Sequence, residues 1–184
     1  FSGHKFHAVR GVGFVYKKAG KKITPLLTGG GQEKDFRSTT ENVAGVASMA
    51  KALRLVTDKE EFSLPKIAKM KKIIFDELAK YEDITIFSGK GEDFAPNILT
   101  FGIKGVRGEV IVHAFEEHQI YISTTSACSS KAGKPAGTLI SMGVPTKLAQ
   151  TAVRISLDDD NDMGQVEQFL TIFKQVYAKT QKVR

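Results

Sequence analysis

Few side chains in this sequence are able to do chemistry, and each has an ordinary reading beside a chemical one. Lys5 follows Ser2, Gly3 and His4 just ahead of a strand-forming stretch. A lysine at a strand end is usually a solvated charge. A lysine amine whose proton is loosened forms a Schiff base with an aldehyde, and neighbouring Ser and His side chains supply donors suited to a phosphate. Cys128, the sole cysteine, sits in the run STTSACSSKAGKPAG, residues 123–137. Small and polar neighbours place it on an exposed, mobile loop after a strand, which suits a thiolate that travels to its substrate; the alternative is a small buried hydrophobe. Arg154, within AVRIS, is a charge inside an apolar strand and needs either a structural carboxylate or a bound anion.

Other patterns carry less. Gly29, Gly30 and Gly31 form a loop that makes close backbone approaches or positive-φ turns. No Gly-Lys-Ser/Thr follows, so it is not a nucleotide phosphate loop, and Gly11 with Gly13 lacks the third glycine of a dinucleotide fingerprint. His7, His113 and His118 have no spacing that converges on a metal and read as surface or packing residues. Asp158, Asp160 and Asp162 alternate as calcium-loop ligands do, but Met163 and Phe169 stand where that loop needs Gly and Glu. The run is better read as a helix start, with Asp162 and Gln165 in capping-box register.

The elements that must position these groups follow from periodicity. Residues 11–16 and 23–27 are β-branched and aromatic and predict two strands. Residues 41–56 predict a helix capped by Thr39 or Thr40, and residues 63–81 a second, with Ile67, Met70, Ile73, Ile74 and Leu78 on one side. Strands are expected at 84–87, 97–103, 120–123 and 152–157, and helices at 109–118 and 163–179. This alternation predicts an α/β organisation, with a boundary near 57–64 where the chain leaves the first long helix.

Composition sets the outer bounds. With 184 residues, 41% of them hydrophobic, the chain can bury one core and part of a second. No apolar run approaches the roughly 20 residues that cross a bilayer, and residues 1–10 carry no signal-peptide core. A single cysteine excludes an intrachain disulfide framework and fits a reducing cytoplasm. The net charge of +7 comes from scattered lysines that match no nucleic-acid motif, so no direct nucleic-acid contact and no membrane contact are expected.

Taken in order, SGHK with RGVG, GGGQE with FRSTTEN, TSACSS and VRIS resemble the class V aminotransferase family, specifically cysteine desulfurases of the NifS and IscS type. The resemblance runs from Ser2 to the last helix. It implies the C-terminal part of a fold-type I large domain over residues 1–60, truncated, followed by a small α/β domain over residues 61–184 that carries the cysteine loop. It further implies pyridoxal 5'-phosphate as cofactor, held by Lys5 through a Schiff base, with Ser2 and His4 on its phosphate and Thr40 reaching the phosphate of the neighbouring subunit in a homodimer. Arg154 matches the arginine that grips the substrate carboxylate. Cys128 matches the cysteine that takes sulfur from L-cysteine as a persulfide, releasing L-alanine. The long loop after Cys128 resembles that of desulfurases serving a sulfur-acceptor protein, an iron–sulfur scaffold or a tRNA-thiolation protein.

Two positions depart from the family pattern: Thr39 stands where a glycine is usual, and so does Asp158 after the VRIS strand. The groups that stack on the cofactor ring and pair with its nitrogen precede the lysine in this family and are not found before Phe1. The chain is therefore expected to be a C-terminal half without turnover alone. A class V aminotransferase or selenocysteine lyase would use Lys5 and Arg154 equally well but would not need Cys128; a partner-binding scaffold without catalysis is the remaining reading.

Overall fold

The structure, a computed structural model, describes residues 1–91, 93–124 and 137–181. The chain divides into two compact units, Phe1–Glu61 and Phe62–Arg184.

In the first unit the two expected strands do not form. Residues 11–16 contribute only a bridge between Ser2 and Gly13. Apolar β-formers need an adjacent edge and a layer to bury against; here Val15 is 77% and Leu26 94% exposed. What forms is a 3-10 turn, Gly3–Phe6, and a second one at Gln32–Asp35 after the glycine run. Gly31 (φ 85°) opens that second turn, and Glu33, Lys34 and Asp35 follow in the left-handed region.

Helix α1, Val43–Leu78, runs through both stretches expected as separate helices. Asn42, not Thr39 or Thr40, caps it, its Oδ1 accepting the Gly45 N–H at 3.0 Å. The expected break near 57–64 does not form: the helix runs on through Thr57, whose hydroxyl donates back to the Leu53 carbonyl at 2.9 Å. Pro65 lies inside the helix. Its ring opposes the carbonyl four residues back, that of Glu61, and supplies no N–H to it. The division between the units falls at that residue.

The second unit is built on β1 (Ile84–Ile86), β2 (Ile98–Ile103), β3 (Ser123–Thr124) and β4 (Ala152–Ser156), in the order β1-β2-β4-β3 with every neighbouring pair antiparallel. Its helices are α2 (Gly108–Glu116), α3 (Gly137–Ser141), α4 (Thr146–Ala149) and α5 (Met163–Gln181). Residues 120–122, expected in a strand, stay outside the ladder, so β3 is shorter and later than its β-branched residues suggest.

Side chains alternate across the sheet. Leu99, Phe101, Ile103, Val153 and Ile155 fall on one face and are buried against Met70, Ile74 and Leu78 of α1, Ile111 and Phe115 of α2, and Phe169 and Phe173 of α5. The helical residues recur three or four apart, the spacing that gathers one stripe. Phe173 is fully buried and meets Phe101 edge-on at 6.4 Å; truncation to Ala there costs about 3–5 kcal/mol. Thr100, Gly102, Ala152 and Arg154 fall on the opposite face, where a smaller cluster of Leu139, Ala149 and Ala152 sits.

Helix ends are closed locally. Asp162 Oδ1 accepts the Gln165 N–H at 2.9 Å while Gln165 Oε1 accepts the Asp162 N–H at 3.2 Å, the reciprocal cap read from the sequence. After α3, which the sequence reading missed, Gly143 (φ 82°) takes the left-handed position, with Val144 N–H bonded to Leu139 O and Gly143 N–H to Ile140 O.

Candidate functional site

Lys5 sits on the Gly3–Phe6 turn, its amide donating to Ser2 O at 3.0 Å. The turn is pinned from behind: Gly3 N–H donates to Val12 O at 2.9 Å, Phe14 N–H to Phe1 O at 3.0 Å, and the Phe1 and Phe14 rings stack at 4.6 Å. Gly13 is required by that approach, since a Cβ there would lie 2.4 Å from Phe1 O. Gly3 is buried, while Ser2, His4 and Lys5 are all exposed. The structure thus brings an amine, a hydroxyl and an imidazole together on one braced turn. Among the described residues no hydrogen bond or ion pair reaches Lys5 Nζ. Amine plus neutral donors is a set that fits an aldehyde bearing a phosphate.

Thr40 lies two residues before the Asn42 cap of α1 and is exposed. Its neighbour Thr39, the departure from the family pattern, accepts a hydrogen bond from Arg37 Nη1, which ties the segment internally.

In the second unit, Arg154 is on β4, directly across from Thr100 on β2 and Ser123 on β3. Its Nε is buried and has no hydrogen-bond partner among the described residues. A buried guanidinium nitrogen left unpaired is costly, and either a structural carboxylate or a bound anion would satisfy it. Thr100 and Ser123 flank it with hydroxyls that the sequence reading did not single out. Strand alternation about Arg154 is the signal, and the register needed to use it is visible only in the fold. Cys128 lies outside the described residues; Thr124, four positions earlier, ends β3. His113, read as a surface residue, is exposed and pairs with Glu116 at 2.9 Å.

Charged groups elsewhere are perturbed for structural reasons. Hydrogen bonds from Lys72 and then Lys90 hold the Asp76 carboxyl down to about 2. Burial pushes the Lys71 amine below its usual value, and its Nζ donates to Ala95 O at 2.8 Å. Among the described residues, no helix is long and apolar enough to cross a membrane.

Residues 1–169 match the aminotransferase class V family, and the chain belongs to it. Among relatives, a "NifS/IcsS protein homolog" of Lactobacillus delbrueckii subsp. bulgaricus is 46% identical over all of this chain and 48% of its own length. A "Cysteine desulfurase IscS" of Dictyoglomus turgidum is 34% identical over 85% of this chain and 40% of its own. A solved "NIFS-LIKE PROTEIN" superposes with a TM-score of 0.79 at 30% identity, covering 97% of this chain and 45% of the other. The chain spans about half the length of the curated relatives it matches.

Proposed function

We propose that this chain forms part of a pyridoxal-phosphate-dependent cysteine desulfurase, with residues 1–60 the end of the cofactor-binding large domain and 61–184 the small domain. The observation that carries the reading is Arg154, whose buried Nε lacks an acceptor among the described residues and lies on the strand beside the one that leads into Cys128. An α-carboxylate is the acceptor an amino-acid substrate brings.

Pyridoxal phosphate, when bound, supplies the electron sink that weakens bonds at the substrate's α- and β-carbons. In this reading Lys5 would hold the cofactor through its amine and would move the substrate's α-proton. Ser2 and His4 donate to the phosphate, and Thr40 does so in the neighbouring subunit of a homodimer. Arg154 holds the carboxylate, which fixes the substrate's orientation. The Cys128 thiolate attacks the substrate sulfur: an S–S bond forms, the C–S bond breaks, and the electron pair stays on carbon and takes up a proton. The products are L-alanine and a persulfide on Cys128, so sulfur and hydrogen balance without an added oxidant. The persulfide then passes to a sulfur-acceptor protein, an iron–sulfur scaffold or a tRNA-thiolation protein. The names carried by the relatives support desulfuration over simple amino transfer.

The test is borohydride fixation of pyridoxal phosphate in the catalytically competent protein containing this chain, followed by peptide mapping. The label is expected on Lys5, and Lys5→Ala is expected to abolish both it and alanine formation from cysteine. A label on another lysine overturns the assignment.

A further inference from the structure

Arg154 lies in a row across the sheet, with Thr100 of β2 on one flank and Ser123 of β3 on the other. The two flanks are not equivalent. Leu157 N–H donates to Asn97 O at 2.8 Å, which makes those two a hydrogen-bonded pair, and alternation along the ladder makes Thr100 and Arg154 a pair with no main-chain bond between them. Pairs of that kind bring their Cα atoms to about 4.5 Å, against about 5.5 Å in the bonded kind, so their side chains stand closest. Arg154 turns its own N–H and C=O toward Ser123. Thr100 is therefore the nearer side chain to the guanidinium.

The flanking hydroxyls differ as well. Ser123 Oγ already donates to Thr124 O at 2.8 Å. Thr100 commits its main chain to the far side, its N–H donating to Ser88 Oγ at 2.9 Å and its C=O accepting the Phe87 N–H at 2.8 Å. Its hydroxyl makes no hydrogen bond among the described residues, although Thr100 is only 9% exposed. Branching at Cβ leaves that hydroxyl few orientations. The next position of β2 on this face is closed to a ligand, since a Cβ at Gly102 would lie 2.2 Å from Thr151 Oγ1, which donates to Leu148 O. One row thus holds two donors without an acceptor among the described residues, Thr100 Oγ1 and Arg154 Nε, and they are not bonded to each other. A carboxylate satisfies both, because its two oxygens take a hydroxyl and a guanidinium together.

We propose that Thr100 is a substrate-binding residue whose hydroxyl donates to the α-carboxylate of the amino-acid substrate beside Arg154, an inference that rests on the reading of Arg154 as the group that takes that carboxylate. The carboxylate is unchanged by the reaction, so the bond is made equally in the ground state and the transition state. Its loss therefore falls on KM and not on kcat.

The test uses the catalytically competent protein containing this chain, loaded with pyridoxal phosphate and assayed for alanine formation from L-cysteine. Thr100→Val keeps the shape and removes the hydroxyl, and is expected to raise KM about tenfold with kcat and melting temperature little changed. Thr100→Ala, which removes the hydroxyl without adding a methyl group, is expected to raise KM to the same degree and serves if the valine variant does not fold. Thr100→Ser keeps the hydroxyl and is expected to restore KM to within about threefold of the unaltered protein. The proposal is overturned if neither hydroxyl-free variant raises KM, if Thr100→Ser is as impaired as they are, or if the loss falls on kcat. A lowered melting temperature with KM unmoved would place a structural carboxylate in the row and also overturn it. An unaltered protein that makes no alanine from cysteine overturns the desulfurase reading and this inference with it, whereas turnover with KM indifferent to the Thr100 hydroxyl overturns this inference alone.

Discussion

Ser123 and Arg154 are direct partners across the β3–β4 ladder, so the strand that leads into the Cys128 segment begins beside a guanidinium whose Nε is buried and has no hydrogen-bond partner among the described residues. If that nitrogen serves a ligand and not the fold, its removal should be tolerated. Arg154→Met is expected to change unfolding free energy by no more than about 1 kcal/mol, whereas breaking a buried ion pair costs about 3–5 kcal/mol. L-Cysteine or L-alanine should raise the melting temperature of the unaltered protein and leave that of the variant unmoved. A large loss of stability in urea titration would instead show a structural carboxylate partner.

The Asp162–Gln165 cap makes a separable prediction. Asp162→Ala should cost about 1 kcal/mol by denaturant titration. Because each side chain satisfies the other's amide, Gln165→Ala added to it should cost less than when made alone. Strict additivity would contradict the reciprocal bond.

Three residues after α2, Gln119 lies in the left-handed region at φ 58°, bonded as Gly143 is after α3: Ile120 N–H to Phe115 O and Gln119 N–H to Glu116 O. A side chain there is strained where glycine is not. Gln119→Gly should therefore raise stability, by up to about 1 kcal/mol after the entropy of the unfolded chain is counted. A destabilised variant in thermal unfolding would show that the Gln119 side chain contributes more than its backbone strain removes.

These cases show what the sequence discloses and what it withholds. The capping box was legible because it is local, four residues long and needs no partner. Ile67, Met70 and Ile74, or Phe169 and Phe173, were legible as core stripes because helical spacing alone puts them on one face. Residues 11–16 were misread because β propensity records a preference for a pleated, half-buried surface, and no edge or layer is offered to them in this unit. The boundary expected near 57–64 does not break the helix, which runs on through it. At the site, Lys5, Cys128 and Arg154 stood out by residue type, whereas Thr100 and Ser123 could not, since only strand register sets them beside Arg154.

Acid titration gives a further check. Asp76 accepts from Lys72 and Lys90, each at 2.6 Å, and its folded carboxyl lies near 2 against an ordinary 3.8. The folded value being the lower, its contribution to stability is complete above the ordinary value and fades as pH falls through about 2. Both partners are solvent-exposed, so the effect on unfolding is small. The carboxyl chemical shift should have its midpoint near 2, and Lys72→Met should move it upward. An unshifted midpoint would mean that the lysines do not hold this geometry in solution.

The most direct measurement follows the sulfur atom. The competent protein containing this chain, loaded with pyridoxal phosphate and given one equivalent of L-cysteine labelled at sulfur, should release L-alanine and carry the label on Cys128, seen by mass spectrometry as one added sulfur that a thiol reductant removes. Cys128→Ser should retain the cofactor and lose that sulfur. Undiminished alanine and sulfide release from Cys128→Ser, or label on any other residue, would contradict the account.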